Sequence, residues 1–242
     1  MLQFLAEYGY IIFTILLLPT FGFAIYAQTR VTRTFSTFRQ IESSEGKTAH
    51  EVAEQMLNDA GITDHKVRQI KGDLTDNFNP KTRTISLSES VYDSKSVAAI
   101  GVAAHEAGHA IQYKTKYFPI RFRNMTVKLC AFTSRMLFPL LIIGIILNSW
   151  ALQTAGILLV LFAIASYVLS FILSLITLPI EFNASKRAIK ILQTNSILTP
   201  TETVQAKQVL DAAALTYVAS ALTSLIQFLR ILFYAVGSKS KK

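Results

Sequence analysis

The chain contains almost no cysteine, with Cys130 alone among 242 residues. A single thiol excludes an intrachain disulfide framework and a zinc site built from several thiolates. Charged residues are also scarce at 16%, whereas hydrophobic residues make up 51% and the mean hydropathy is +0.39. Part of the chain is therefore not the core of a soluble domain, and we expect it to contact a lipid bilayer.

The chain also lacks a dense basic cluster, although its net charge is +9. Its lysines and arginines are scattered and mostly flank apolar runs, which is typical of membrane orientation and not of nucleic-acid binding. The residues before the first apolar run include Glu7 and no Lys or Arg, so a cleaved signal peptide is not expected.

Four runs with little or no charge predict membrane crossings, each near the length of about 20 residues that a bilayer requires. They are residues 9–27, 129–147, 152–178 and 210–229. Arg30, Arg33 and Arg39 follow the first run, so the positive-inside rule places the next segment in the cytosol. The last run could instead lie along the surface, but we favour four crossings with both termini outside.

The segment between the first two crossings predicts a small folded domain. Thr48 and Glu51 can form a capping box at the start of an amphipathic helix. The expected elements are a helix over 46–60, a strand over 67–70, a turn over 76–80 and a half-buried strand over 83–88. The last strand could pair with an extended peptide, or form an ordinary hairpin packed on the following helix.

That following helix, expected over about 96–113 with Ser94 or Ser96 as its cap, carries the motif His105-Glu106-Ala107-Gly108-His109. Histidines four residues apart lie one above the other on a helix, about 400° round, so both can reach one metal ion. Glu106 lies about 100° round from His105, beside a water on the metal. The pattern predicts a zinc hydrolase with Glu106 as general base, not ligand.

A catalytic zinc needs three protein ligands and one open position, and His, His and Glu form a known set. Glu181 is the only acid between Glu106 and Glu202, and it lies where the third crossing ends. We therefore predict Glu181 as the third ligand. The alternatives are that it simply meets water at the membrane surface, or that Glu202 or Asp211, in weaker contexts, fills the position.

Three further side chains are candidates for supporting roles. Asn183 and Ser185 follow Glu181 closely and could orient a liganding histidine. Tyr217, a phenol in an otherwise apolar helix, could donate to the oxyanion, although an interface tyrosine bonded to the backbone explains it as well. His50 and His65 are expected to be ordinary structural histidines.

The chain resembles a known family, the bacterial membrane-bound neutral zinc metallopeptidases of the YugP-like type. The residues that carry the resemblance are Tyr26-Ala27-Gln28, Gly72 to Asp76, Leu87-Ser88-Glu89 with Val91-Tyr92, Ala98 to Gln112, Leu178-Pro179 with Glu181-Phe182, and Ala213 to Ala219. The resemblance implies a Glu-zincin membrane metallopeptidase with His105, His109 and Glu181 as ligands and Glu106 as base. It also implies Asp at position 183 and His at 113, where this chain has Asn183 and Tyr113.

We thus expect a mainly α membrane protein whose α+β zincin-like catalytic part, with a small β-hairpin, is joined to a transmembrane helix bundle. The expected segments are an N-terminal transmembrane helix (1–27), the catalytic domain (28–128), a transmembrane hairpin (129–178), and the third-ligand segment with a C-terminal transmembrane helix (179–242).

The expected function is that of an integral membrane zinc endopeptidase, holding one zinc per chain, in the bacterial cell membrane. It would act at the cytosolic surface on a protein or peptide substrate, itself membrane-associated, and bind no nucleic acid. The sequence leaves the oligomeric state open. Two alternatives stay open: a catalytically silent zinc-binding membrane scaffold, and a zinc hydrolase of non-peptide bonds.

Overall fold

A computed structural model describes residues 2–148 and 153–240. The described part is mostly helical and contains one small sheet. Its elements are α1 (Leu2–Phe38), α2 (Ala49–Asp59), β1 (Lys66–Ile70), β2 (Asn77–Asn79), β3 (Thr84–Ser88), α3 (Val97–Lys114), α4 (Phe118–Asn148), α5 (Gln153–Thr194) and α6 (Pro200–Ser240).

The chain divides into two compact units, and helices α1, α4, α5 and α6 each contribute to both. The membrane-type unit comprises Met1–Ile25, Phe122–Thr177 and Tyr217–Lys242. The other unit, which we call the motif unit, comprises Tyr26–Arg121 and Leu178–Thr216. The motif unit contains the whole sheet and the helix that carries the His-Glu-x-x-His motif.

Three helical stretches within the described residues are long and apolar enough to cross a membrane: Tyr8–Phe38, Leu161–Thr194 and Pro200–Phe233. They contain all or most of three of the predicted crossings. The remaining predicted crossing, 129–147, lies in α4, and many of its side chains fall outside the described residues, so it stays a prediction.

Helices of the membrane-type unit contact one another through small residues and rings. A Cβ at Gly9 would lie 2.8 Å from the Phe233 side chain, so glycine permits the close approach of α1 and α6. The rings of Phe171 and Phe228 stack between α5 and α6 with centroids 6.2 Å apart. A short polar side chain also joins these two helices, since Ser224 Oγ donates to Ser174 Oγ at 3.2 Å.

The motif unit has a core formed largely by α2, the sheet and α3. Helix α2 buries Val52, Ala53, Met56 and Leu57 on one face, as its amphipathic pattern predicts. The predicted capping box is present and begins the helix at residue 49, because Thr48 bonds the Glu51 N–H while the Glu51 carboxylate accepts the Thr48 N–H at 2.8 Å.

The sheet has the strand order β1-β3-β2, with β1 parallel and β2 antiparallel to β3. The predicted hairpin exists as β2–β3, but the residues expected to be a turn, 76–80, include β2. The prediction that the strand over 83–88 is half-buried is wrong, because every residue of β3 is buried. As the central strand, β3 has partners on both sides, which excludes its pairing with an extended peptide.

Helix α3 begins after Ser96, whose side chain accepts the Ala99 N–H at 3.2 Å. Its small residues let neighbouring helices approach closely. A Cβ at Gly101 would lie 3.3 Å from the Cβ of Ala206, so α6 packs directly against this point of α3. At its other end, the Lys114 ammonium donates to the Gly61 carbonyl at 2.7 Å, which joins the end of α3 to the loop after α2.

We expect Thr48→Ala to destabilise the protein by about 1 kcal/mol, because the substitution removes the N-cap acceptor of α2 and a partner of Glu51. Thermal unfolding of the full chain in detergent measures the change. Thr82→Ala, at an exposed threonine of the β2–β3 turn, is the matched control. Equal unfolding midpoints for the two variants would contradict a stabilising cap.

Candidate metal centre

Helix α3 places the two motif histidines on one face, as the spacing of four residues requires. The rings of His105 and His109 lie 4.7 Å apart between centroids and are nearly perpendicular, at 86°. Their side chains are about seven-eighths buried, at 13% and 14% exposed. Both Nε2 atoms therefore face the same small region beside α3.

Glu181, on α5, meets both histidines at that point. Its Oε2 lies 3.2 Å from His105 Nε2 and 3.3 Å from His109 Nε2. Two ligand atoms of a tetrahedral zinc with bonds of about 2.0–2.1 Å are separated by about 3.3–3.4 Å. The two distances to the carboxylate oxygen match this spacing, and ligand atoms of the three residues all lie within 4.8 Å of one another, so the group could hold a metal ion. Within the described residues, these three side chains are the group able to hold a metal.

The close approach of α3 and α5 depends on Gly108, the residue before the second histidine. A Cβ built at Gly108 would lie 2.7 Å from the carbonyl oxygen of Ala184 and 3.3 Å from its carbonyl carbon. No larger residue fits without a shift of one helix backbone. Because Ala184 lies between Glu181 and Ser185, this contact sets the distance from α5 to the two histidines.

The second nitrogen of each histidine has a polar partner, which fixes the plane of the ring. His105 Nδ1 lies 3.0 Å from Ser185 Oγ, the contact that sequence reasoning suggested. His109 Nδ1 lies 3.0 Å from Gln112 Oε1, a partner that sequence reasoning missed. Asn183 bonds Gln112 and Arg187, so its effect on a histidine is indirect.

Two carboxylates, those of Glu106 and Glu181, act on His109 at this site. Burial disfavours the charged form of His109, but the hydrogen bond to Glu181 and the negative charges of Glu106 and Glu181 outweigh it and raise the pKa of this histidine. Burial also raises the pKa of Asp76, with a further contribution from the charge of Glu106, although hydrogen bonds from Ser88 act in the opposite direction. Such a site favours a cation.

Glu106 and Tyr217 differ in where they lie. Glu106 is buried on α3, at 8% exposed, and its charge acts on both His109 and Asp76. Asp76 was not predicted as a site residue. The feature of the sequence that could have indicated it is a lone carboxylate directly before a strand. Tyr217 begins the segment Tyr217–Lys242 of the membrane-type unit. The group formed by His105, His109 and Glu181 belongs to the motif unit. The role of Tyr217 as an oxyanion donor stays a prediction.

A helical membrane-type protein with two histidines and a glutamate on facing helices has the features of a membrane-bound metallohydrolase. Comparison with known proteins gives the particular family. Residues 13–236 match the model of the family described as "Putative neutral zinc metallopeptidase". The chain belongs to this family of zinc metallopeptidases.

One curated relative covers nearly the whole chain. It is described as "Putative membrane protease YugP" from Bacillus subtilis (strain 168), and is 36% identical over 230 residues, which are 95% of this chain and 99% of the relative. No solved structure matches the chain. The family and the relative support a protease associated with a membrane.

We expect Gly108→Ala to separate α3 from α5 and to lower the zinc content well below that of the parent protein. The added methyl group would overlap the Ala184 backbone, an overpacking that costs about 1–3 kcal/mol. Elemental analysis of the purified full chain measures the zinc. Gly22→Ala is the control, because nothing lies within 4 Å of a Cβ at that helical position. Full zinc content in Gly108→Ala would refute the importance of the close approach.

Proposed function

We propose that this protein is an integral membrane zinc endopeptidase in which His105, His109 and Glu181 bind one zinc and Glu106 is the general base. The observation that carries the proposal is the spacing of the three donor atoms, 3.2 and 3.3 Å across the carboxylate oxygen, on a chain of a zinc metallopeptidase family. The zincin-like character of the catalytic part is included in the proposal.

Zinc, when bound, would polarise the scissile carbonyl and lower the pKa of a water towards about 7. The chain supplies the remaining groups. Glu106 follows His105 directly and lies about 100° round the helix from it, so its carboxylate would act on the attacking water and would not bind the metal. There it accepts a proton from the attacking water and then delivers that proton to the leaving amine. Asp76 is a second carboxylate near Glu106, and the charge of Glu106 contributes to the raised pKa of Asp76, whose main cause is burial.

The developing oxyanion needs a hydrogen-bond donor besides zinc. Tyr217 is the proposed donor, since a phenol in an apolar helix supplies one O–H. Replacement by phenylalanine removes that single group and is the direct test of this part of the proposal.

The proposed place of action is the cytosolic membrane surface of a bacterial cell. Glu181 lies within a helical stretch apolar enough to cross a membrane, Leu161–Thr194, near its polar end. The ligand pair on α3 and Glu181 must share one compartment, and the predicted crossings 129–147 and 152–178 return the chain to it. Arg30, Arg33 and Arg39 make that compartment the cytosol. Substrates are therefore membrane proteins or their juxtamembrane segments.

We expect Glu106→Gln to keep zinc and to lose roughly 10²–10⁴-fold in turnover, because the amide cannot accept the proton of water. Protein N-termini in membranes with the parent or the variant protein, compared by mass spectrometry, measure the cleavage. Glu54→Gln, at an exposed position of α2, is the matched control. Near-normal cleavage by Glu106→Gln would refute the proposed role of Glu106 as the general base. Membranes with the parent protein that show the same N-termini as membranes lacking it would instead favour a silent scaffold or a hydrolase of other bonds.

We expect the double variant His105→Ala/His109→Ala to lose the zinc ion, since one carboxylate alone does not hold it. Elemental analysis after dialysis measures the metal, and the circular dichroism of the helices checks that the chain is folded. Retention of one zinc per chain by the folded double variant would mean that the ion lies elsewhere.

The proposed topology predicts that single cysteines at Gln3 and Ser240, on a Cys130→Ser background, both react with an impermeant thiol reagent in intact cells. Glu54→Cys on α2 is the internal control and should react only after lysis. Reaction at position 3 but not at 240 would mean three crossings and a cytosolic C-terminus. Reaction of Glu54→Cys in intact cells would place the motif unit outside.

A further inference from the structure

Gln112 is the most completely enclosed polar side chain near the proposed zinc site, with 0% of its surface exposed. It lies on α3, three residues after His109, and its amide reaches across to α5. Nε2 donates to the Ile180 carbonyl at 2.8 Å and to Asn183 Oδ1 at 2.9 Å. Oε1 lies 3.0 Å from His109 Nδ1. All polar atoms of this side chain therefore have partners.

The direction of each hydrogen bond follows from Arg187, one turn after Asn183. A guanidinium only donates, so Arg187 Nε at 2.8 Å requires the oxygen of the Asn183 amide at that position. That oxygen, and the Ile180 carbonyl, then require the NH₂ group of Gln112. The Gln112 oxygen must consequently face His109, and a flipped amide would set acceptors against acceptors.

Since Gln112 Oε1 only accepts, His109 Nδ1 must carry a proton and donate it. In the neutral ring, which is the form that binds a metal, the lone pair is then left on Nε2, the atom that faces Glu181 and the proposed metal. His105 has no such constraint, because its Nδ1 partner is the Ser185 hydroxyl, which can donate or accept. The two ligand histidines thus differ in how firmly their tautomer is set.

We propose that Arg187, Asn183 and Gln112 form a positioning chain that holds His109 with its proton on Nδ1 and presents Nε2 to the metal. The inference rests on the proposed zinc site and extends it to three residues outside the ligand set. This positioning chain of three side chains also links α3 to α5, so His109 is oriented by the helix that carries Glu181, the third proposed ligand. Gln112 acts through His109 and is a positioning residue.

The test is the zinc affinity of full-length protein in nanodiscs, measured by competition with a chelator. Gln112→Met keeps the length of the side chain and removes its hydrogen bonds, and should weaken zinc binding by roughly 10–100-fold. Asn183→Leu should weaken it in the same direction. Asn183→Asp keeps an acceptor for both Gln112 and Arg187 and should stay close to the parent. Gln193→Met, exposed on α5, is the control.

A role in packing alone predicts something different, namely unchanged zinc affinity in Gln112→Met and equal effects of the two Asn183 variants. Either result overturns the proposal. Nitrogen NMR of the zinc-loaded parent protein needs no variant and should show His109 bound through Nε2 with a slowly exchanging proton on Nδ1. Ligation through Nδ1 would also overturn it. Failure of the parent protein to bind zinc would instead refute the proposed function.

Discussion

The direct contact between α3 and α5 is the constraint on which the candidate site depends. The two histidines belong to one helix and the glutamate to another, so their spacing is a property of the helix pair. Gly108 allows the Ala184 carbonyl to lie where a side chain would otherwise be, 2.7 Å from an added Cβ. A glycine inside a helix costs roughly 1 kcal/mol relative to alanine, and the close contact offsets that cost.

Burial of charge explains why the site is suited to a cation. Glu106 and Glu181 are both nearly inaccessible, at 8% and 4% exposed, and Asp76 lies near Glu106. Buried carboxylates are costly unless they are paired or bind a metal. The side chains that contact the Nδ1 atoms of the two histidines, Ser185 and Gln112, carry no charge. A divalent ion would balance the carboxylates and use the histidines as neutral donors.

The features that can be predicted from this sequence alone are those that the spacing of nearby residues determines. The motif face of α3 and the capping box of α2 each depend on residues within one helical turn. The edge strand β2 was missed because its residues, rich in Asn, resemble a turn until β3 supplies backbone partners. Gln112 was visible as a lone amide in an apolar helix, but its partners on α5 lie 68 and 71 residues later, which no local pattern indicates.

X-ray absorption at the zinc edge of the purified full-length protein tests the central claim most directly, because it reports the atoms bound to the metal. The account predicts two imidazole nitrogens together with carboxylate and water oxygens, all at about 2.0–2.2 Å, and no sulfur. A sulfur neighbour at about 2.3 Å, or a first shell without imidazole, would contradict the assignment of His105, His109 and Glu181.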